Sequence, residues 1–182
     1  AVTLVCMPLS GCSKADTKNG LTPITLNEVA HSIFYAPQYA AIELGYFEEE
    51  GLDLTLVNGA GADKVMTALI SGDADIGFMG SEASIYTYAN GSDDYAVNFA
   101  QLTQRAGNFL VGRQPDAEFN WDKLRGTKVL GGRAGGMPQM VFEYILKKNG
   151  IDPKTDLTID QSISFGLTAA AFTSDDSDYT VV

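Results

Sequence analysis

Residues 131–138 read Gly131-Gly132-Arg133-Ala134-Gly135-Gly136-Met137-Pro138, with the strand-like Thr127-Lys128-Val129-Leu130 before them and an amphipathic helical pattern after. Strand, glycine-rich turn and helix opening on proline form the repeating unit of an α/β fold. The turn also carries chemistry. The first N–H groups of a helix have no internal acceptor and the helix dipole adds partial positive charge, so such a turn aims donors at a ligand. Pro138 suits the first helical position, where its missing N–H would be unpaired anyway. The glycines let backbone approach whatever lies in front. The same residues also read as a tight turn with no ligand.

The turn is not a nucleotide signature. A phosphate-binding loop closes on Gly-Lys-Ser/Thr, whereas this one ends Gly136-Met137-Pro138. Gly59-Ala60-Gly61 begins a dinucleotide pattern, but Lys64 stands where its third glycine belongs.

Outward from the turn, strand and helix signals alternate. Residues 24–29 alternate as a strand, Pro37 opens a helix to Leu44, and Gly45 suits the position just past it. Tyr46–Glu50 make a short helical turn ended by Gly51. Residues 52–57 form a second strand, Asp63 to Gly72 a helix, and residues 75–79 a third strand. Ser81 is placed to cap a helix over 82–89. This β-α-β-α-β-α order implies a parallel sheet with helices on its faces. Beyond residue 93, runs 95–103 and 108–113 read as strands without a helix between them. A short helix at 121–126, the strand–turn–helix unit to Gly150, a strand at 157–161, an apolar helical stretch from Phe165 to Phe172 and a strand at 178–182 follow. Two lobes joined by extended segments result. The first covers 23–98 and the second 99–182, and a chain stopping in a strand-like run reads as incomplete at the C-terminus.

The first residues read as targeting rather than fold. Val2–Leu9 is apolar and too short to span a bilayer, Leu9-Ser10-Gly11-Cys12 follows, and then a polar run to Gly20. Residues 1–11 are expected to be part of an export signal and 12–22 a tether. Leu-Ser-Gly-Cys resembles the bacterial lipobox, which implies lipid on Cys12 and anchoring to the outer face of a membrane. The alternative is a stray cysteine in a buried strand. The other cysteine, Cys6, falls in the signal, so residues 13–182 offer no disulfide or thiolate. With His31 the single histidine, no metal site of His/Cys type is expected, nor any cofactor.

Charge narrows the partners. There are 12 Lys+Arg against 23 Asp+Glu, for a net charge of -11. Such a balance opposes nucleic-acid binding, which relies on a basic face to release counterions.

Several stretches together resemble ABC-importer solute-binding proteins of the nitrate, sulfonate, taurine and thiamine-precursor type. They are Tyr46-Phe47-Glu48-Glu49-Glu50-Gly51-Leu52, Ala68–Gly77, Leu124–Val129, Gly131–Pro138 and Asp178-Tyr179. The resemblance implies an α/β protein of the periplasmic-binding-protein type II fold, two α/β lobes around a cleft that closes on a ligand. It further implies a monomeric lipoprotein that hands a small molecule to an ABC permease in the membrane. A rival is an enzyme on the same fold, such as a thiamine-pyrimidine synthase; those carry a cysteine-rich motif that residues 13–182 lack. A ligand-sensing lipoprotein without transport is the other.

Ligands of open α/β sheets sit off the carboxyl ends of the strands. That rule gathers His31 and Tyr35 after the first strand, Ser81 and Glu82 after the third, and Arg133, Gly135, Gly136 and Met137 in the second lobe as ligand-binding candidates. His31 reads equally as a solvated loop residue, and Tyr35, like Phe34, as core. Ser81 reads as a helix cap and Arg133 as solvated or as a carboxylate or sulfonate clamp. Glu82 is unsuited to an anion and favours a ligand with N–H or O–H donors.

Overall fold

Strand β1 (Thr22–Glu28) runs between β2 (Leu52–Asn58) and β3 (Ile76–Phe78), parallel to both, in the order β2-β1-β3. The structure is a computed structural model and describes residues 20–105 and 107–182. The signal, Cys12 and most of the tether therefore lie outside the described residues. β1 begins inside the stretch expected as tether, because Thr22 already pairs with Leu52 and donates its N–H to Gly51 O at 2.8 Å.

Helices α1 (Ala36–Glu43) and α2 (Tyr46–Glu49) link β1 to β2, α3 (Ala62–Ser71) links β2 to β3, and α4 (Glu82–Ala89) follows β3. α3 turns Val65 and Met66 onto the sheet, where they are buried with Leu26, Ala74 and Ala83. Its opposite face, with Lys64 and Thr67, faces water, and Gly72 ends it in the left-handed conformation that glycine adopts without Cβ strain.

A second sheet has the order β4-β7-β5-β6, made by β4 (Leu110–Gly112), β5 (Lys128–Leu130), β6 (Thr158–Asp160) and β7 (Tyr179–Val181). β5 is parallel to β6 and β7, while β4 runs antiparallel to β7. Helix α5 (Met137–Lys148) buries Phe142 and Leu146, one turn apart, against Leu124, Val129, Ile151, Leu157 and Val181. Each such side chain contributes about 1.5–3 kcal/mol on leaving water. Lys147 and Lys148 occupy the last turn of α5, where the dipole favours positive charge. Helix α6 (Thr168–Ser174) follows β6.

Two expectations are corrected. Residues 95–103 form no strand. Tyr95, Val97 and Phe99 alternate as a strand would, but no described strand pairs with them and they stay exposed. Alternation gives a segment one apolar face; only a neighbour's hydrogen bonds make it a strand. Ser81 precedes α4 but makes no side-chain cap hydrogen bond, because its backbone is already helical, with φ -63° and ψ -17°. A capping side chain works from extended backbone. No helix among the described residues is long and apolar enough to cross a membrane.

Candidate functional site

At the carboxyl end of β1 the last residue, Glu28, is fully buried. Its Oε1 lies 2.6 Å from His31 Nδ1, and its Oε2 accepts from Gln38 Nε2 at 3.0 Å and from the Tyr39 hydroxyl at 2.9 Å. A carboxylate only accepts, so His31 carries its proton on Nδ1 here and its other nitrogen points away. The His31 ring stacks on Tyr39 with centroids 4.5 Å apart. Gln38 explains why α1 buries a polar residue: its amide serves the carboxylate. Burial, opposed by the Ser32 N–H and reinforced by Glu28, raises the Tyr39 hydroxyl above its ordinary pKa. His31 is thus a held residue rather than a free loop side chain, with most of its ring exposed. Glu28, Gln38 and Tyr39 were not singled out from sequence; an acid as the last residue of a central strand was the available signal.

Tyr35 lies against Phe78, with ring centroids 4.3 Å apart. Burial first, then the charges of Glu28 and Glu82, push its hydroxyl pKa up. Tyr35 therefore sits between two carboxyl groups, one from β1 and one from α4.

Glu82 is 3% exposed, and its Oε2 has no hydrogen-bond partner among the described residues. Its side chain folds back over the preceding turn: a Cβ on Gly80 would fall 1.9 Å from Oε2. Burial pushes its carboxyl pKa up, while the backbone N–H groups of Glu82 itself and of Met137 pull the other way. Met137 begins α5, so the start of that helix in the second lobe acts on a carboxylate of the first.

The glycine turn spends its other donors within the protein. Gly135 N–H donates to Gln139 Oε1 at 2.8 Å and Gly136 N–H to Arg133 O at 3.2 Å. Gly135 is not a point of close approach: an added Cβ would meet nothing within 4 Å, and φ of +80° is what demands glycine there. Arg133 is paired within the protein. Its guanidinium forks onto Asp63, Nη1 to Oδ1 at 2.6 Å and Nη2 to Oδ2 at 2.9 Å, and Nη1 reaches Ala60 O at 3.3 Å. Burial raises the Asp63 carboxyl, but the hydrogen bonds and charge of Arg133 outweigh it and leave it below the usual range.

A groove of about 500 Å³ opens where Asp63, Met66 and Ile70 of α3 face Ala83 and Tyr86 of α4, with Gly135 at its rim. A second cavity of about 450 Å³, lined by Phe119, Trp121, Phe142 and Tyr179, lies wholly in the second lobe. Neither is lined by His31 or Tyr35. The chemistry gathers at the lobe junction, so we place the candidate site there. No His, Cys, Asp or Glu cluster among the described residues is arranged to hold a metal.

Two α/β lobes meeting at strand carboxyl ends define the type II periplasmic-binding-protein architecture. The chain belongs to the NMT1/THI5-like family, whose model matches residues 33–180. It is 49% identical over 171 residues to the Bacillus subtilis (strain 168) protein named "Putative binding protein YtlA", covering 94% of this chain and 50% of that one. Among solved structures, the periplasmic aliphatic sulphonate binding protein SsuA of Escherichia coli superposes with a TM-score of 0.60 at 16% identity, covering 88% of this chain and 54% of its own. The alkanesulfonate-binding protein SsuA of Xanthomonas axonopodis pv. citri, bound to MOPS, gives 0.61 at 17% identity over the same shares, 88% and 54%. The chain spans about half the length of the curated relative it matches.

Proposed function

We propose that this protein is an extracytoplasmic solute-binding lipoprotein that delivers a small molecule to an ABC permease, acting as a monomer and without catalysis. Lipid on Cys12 would anchor it to the membrane. The ligand would lie between the carboxyl ends of β1 and β3 and the Gly131–Pro138 turn. There His31, Tyr35, Ser81 and Glu82 of one lobe face Arg133, Gly135, Gly136 and Met137 of the other. The solute would be a pyrimidine, a thiamine precursor, a sulfonate or a similar small molecule.

The observation that carries this reading is the buried Glu82 carboxylate after β3, whose Oε2 has no hydrogen-bond partner among the described residues. A buried acceptor left open at that strand end is a place where a solute can be held. A ligand that touches both lobes favours the closed form through its differential affinity for it. The names of the relatives, all binding proteins, agree with this role.

The test is a thermal-shift screen of the full-length protein against pyrimidines, sulfonates, nitrate and flavins. A ligand at 100 times its Kd adds about 2.7 kcal/mol of stability. A screen in which no small solute raises the melting temperature overturns the proposal.

A further inference from the structure

We infer that Glu82 selects the solute by charge: the site takes a small solute with a cationic or N–H-donating group and turns anions away. This rests on the solute-binding reading above and narrows it to a ligand class. Three observations converge on it.

The Glu82 carboxylate is buried, yet Oε2 has no partner. Buried polar atoms are nearly always hydrogen-bonded, and an orphaned charged acceptor calls for a donor. Gly80 leaves the room in which this carboxylate folds back, so its position is built into the turn.

Among the described residues no cation answers its Oε2. Arg133, the guanidinium that the turn supplies, is forked onto Asp63, and His31 is bonded to Glu28. The charges that act on the neighbouring Tyr35 are all oxygen acids: Glu28, the Tyr39 hydroxyl and Glu82 itself.

Two donors that the turn would offer an anion are already used: Gly135 and Gly136 give their N–H groups to Gln139 and to Arg133 O. A sulfonate arriving beside Glu82 would also meet a carboxylate that repels it. A donor-bearing solute instead completes Oε2. If it is aromatic and cationic, it can also lie against the Tyr35 and Phe78 rings.

Ligand-observed NMR titration of the full-length protein with benzamidine and with benzenesulfonate, matched in ring and opposite in charge, tests the inference. Benzamidine is expected to bind at least tenfold more tightly. In Glu82→Gln that preference should shrink at least tenfold, with benzenesulfonate gaining. Benzenesulfonate binding wild-type protein as tightly as benzamidine overturns the charge selection and leaves the solute-binding role standing. Binding of neither probe at millimolar concentration overturns both. The wild-type comparison decides the matter even if the variant folds poorly, and a urea melt of both proteins shows whether it does.

Discussion

Arg133 and Asp63 tie the two lobes together, by a bidentate fork with contacts of 2.6 and 2.9 Å. Asp63 begins α3 of the first lobe and Arg133 lies in the glycine turn of the second. The pair is half open to water, with Arg133 29% and Asp63 62% exposed. It is expected to add about 0.2–1 kcal/mol, as such pairs do, and less in high salt. Arg133→Ala should therefore move the lobes toward the open form only a few-fold, seen as a slightly larger radius in small-angle scattering of unliganded protein. A change above tenfold would mean that the pair is worth far more than its exposure allows.

Gly61→Ala should do more. Gly61 has φ of +146°, and a Cβ there would lie 1.6 Å from Arg133 Nη1. The substitution strains the backbone and evicts the guanidinium together. A loss of about 1–3 kcal/mol is expected in urea melts, and Gly61→Ala with Arg133→Ala should cost less than the sum of the two. Strict additivity would show that no collision exists.

Glu28 holds three side chains at once. Glu28→Ala should strip His31, Gln38 and Tyr39 of their common acceptor and lower stability by about 2–4 kcal/mol, since hydrogen bonds to charged groups contribute about 1.5–3 kcal/mol each and the loss is partly relaxed. Glu28→Gln, which keeps an acceptor oxygen, should cost less. Equal losses would assign the effect to volume alone.

Glu82 should make stability depend on pH. Its native pKa is raised by burial, net of the pull from its own and the Met137 N–H groups. The folded state thus binds a proton more tightly than the unfolded one. Its contribution is fully present below the unfolded value of about 4.3 and is lost as pH rises through the native pKa. Wild-type protein should lose stability over that window relative to Glu82→Gln, in which the loss should vanish. Asp63 acts in the opposite sense. Its lowered pKa gives stability that is present above its unfolded value and lost as pH falls below it. A wild-type-minus-variant difference that is flat from pH 4 upward would refute the Glu82 assignment.

Cys12→Ser in the full-length precursor should release the protein from membranes. Each buried CH₂ of an acyl chain contributes roughly 0.8 kcal/mol, so the change should be plain on fractionation. An unaltered membrane fraction would exclude lipid at this position.

The strand and helix order was legible because hydrophobic periodicity and glycine stops are local signals. Val65 and Met66 on α3, or Phe142 and Leu146 on α5, announce their buried faces in a single turn. The rule that ligands sit off strand carboxyl ends gathered Tyr35 and Glu82, and burial shifts both of their pKa values upward. Pairings were not legible. Arg133 and Asp63 are 70 positions apart, and nothing local says that they meet. The glycine turn looked like a set of free donors because its acceptors, such as Gln139 Oε1 and Arg133 O, are assigned only by packing. Residues 95–103 misled for the same reason: alternation is local, whereas a pairing partner is not.

β7 sits between β4 and β5, although it is the last strand in sequence. β4 has β7 as its strand neighbour, and β5 otherwise touches only β6. A ribosome making this chain would therefore emit β1, β2 and β3 of the first sheet long before β7 could join β4 to β5. β4 would wait some 65 residues of synthesis for its partner, at a rate of about 5–20 residues per second. Exposed edges are sticky during such an interval. The gap leaves the edges of β4 and β5 open while the strands of the first sheet are already able to pair.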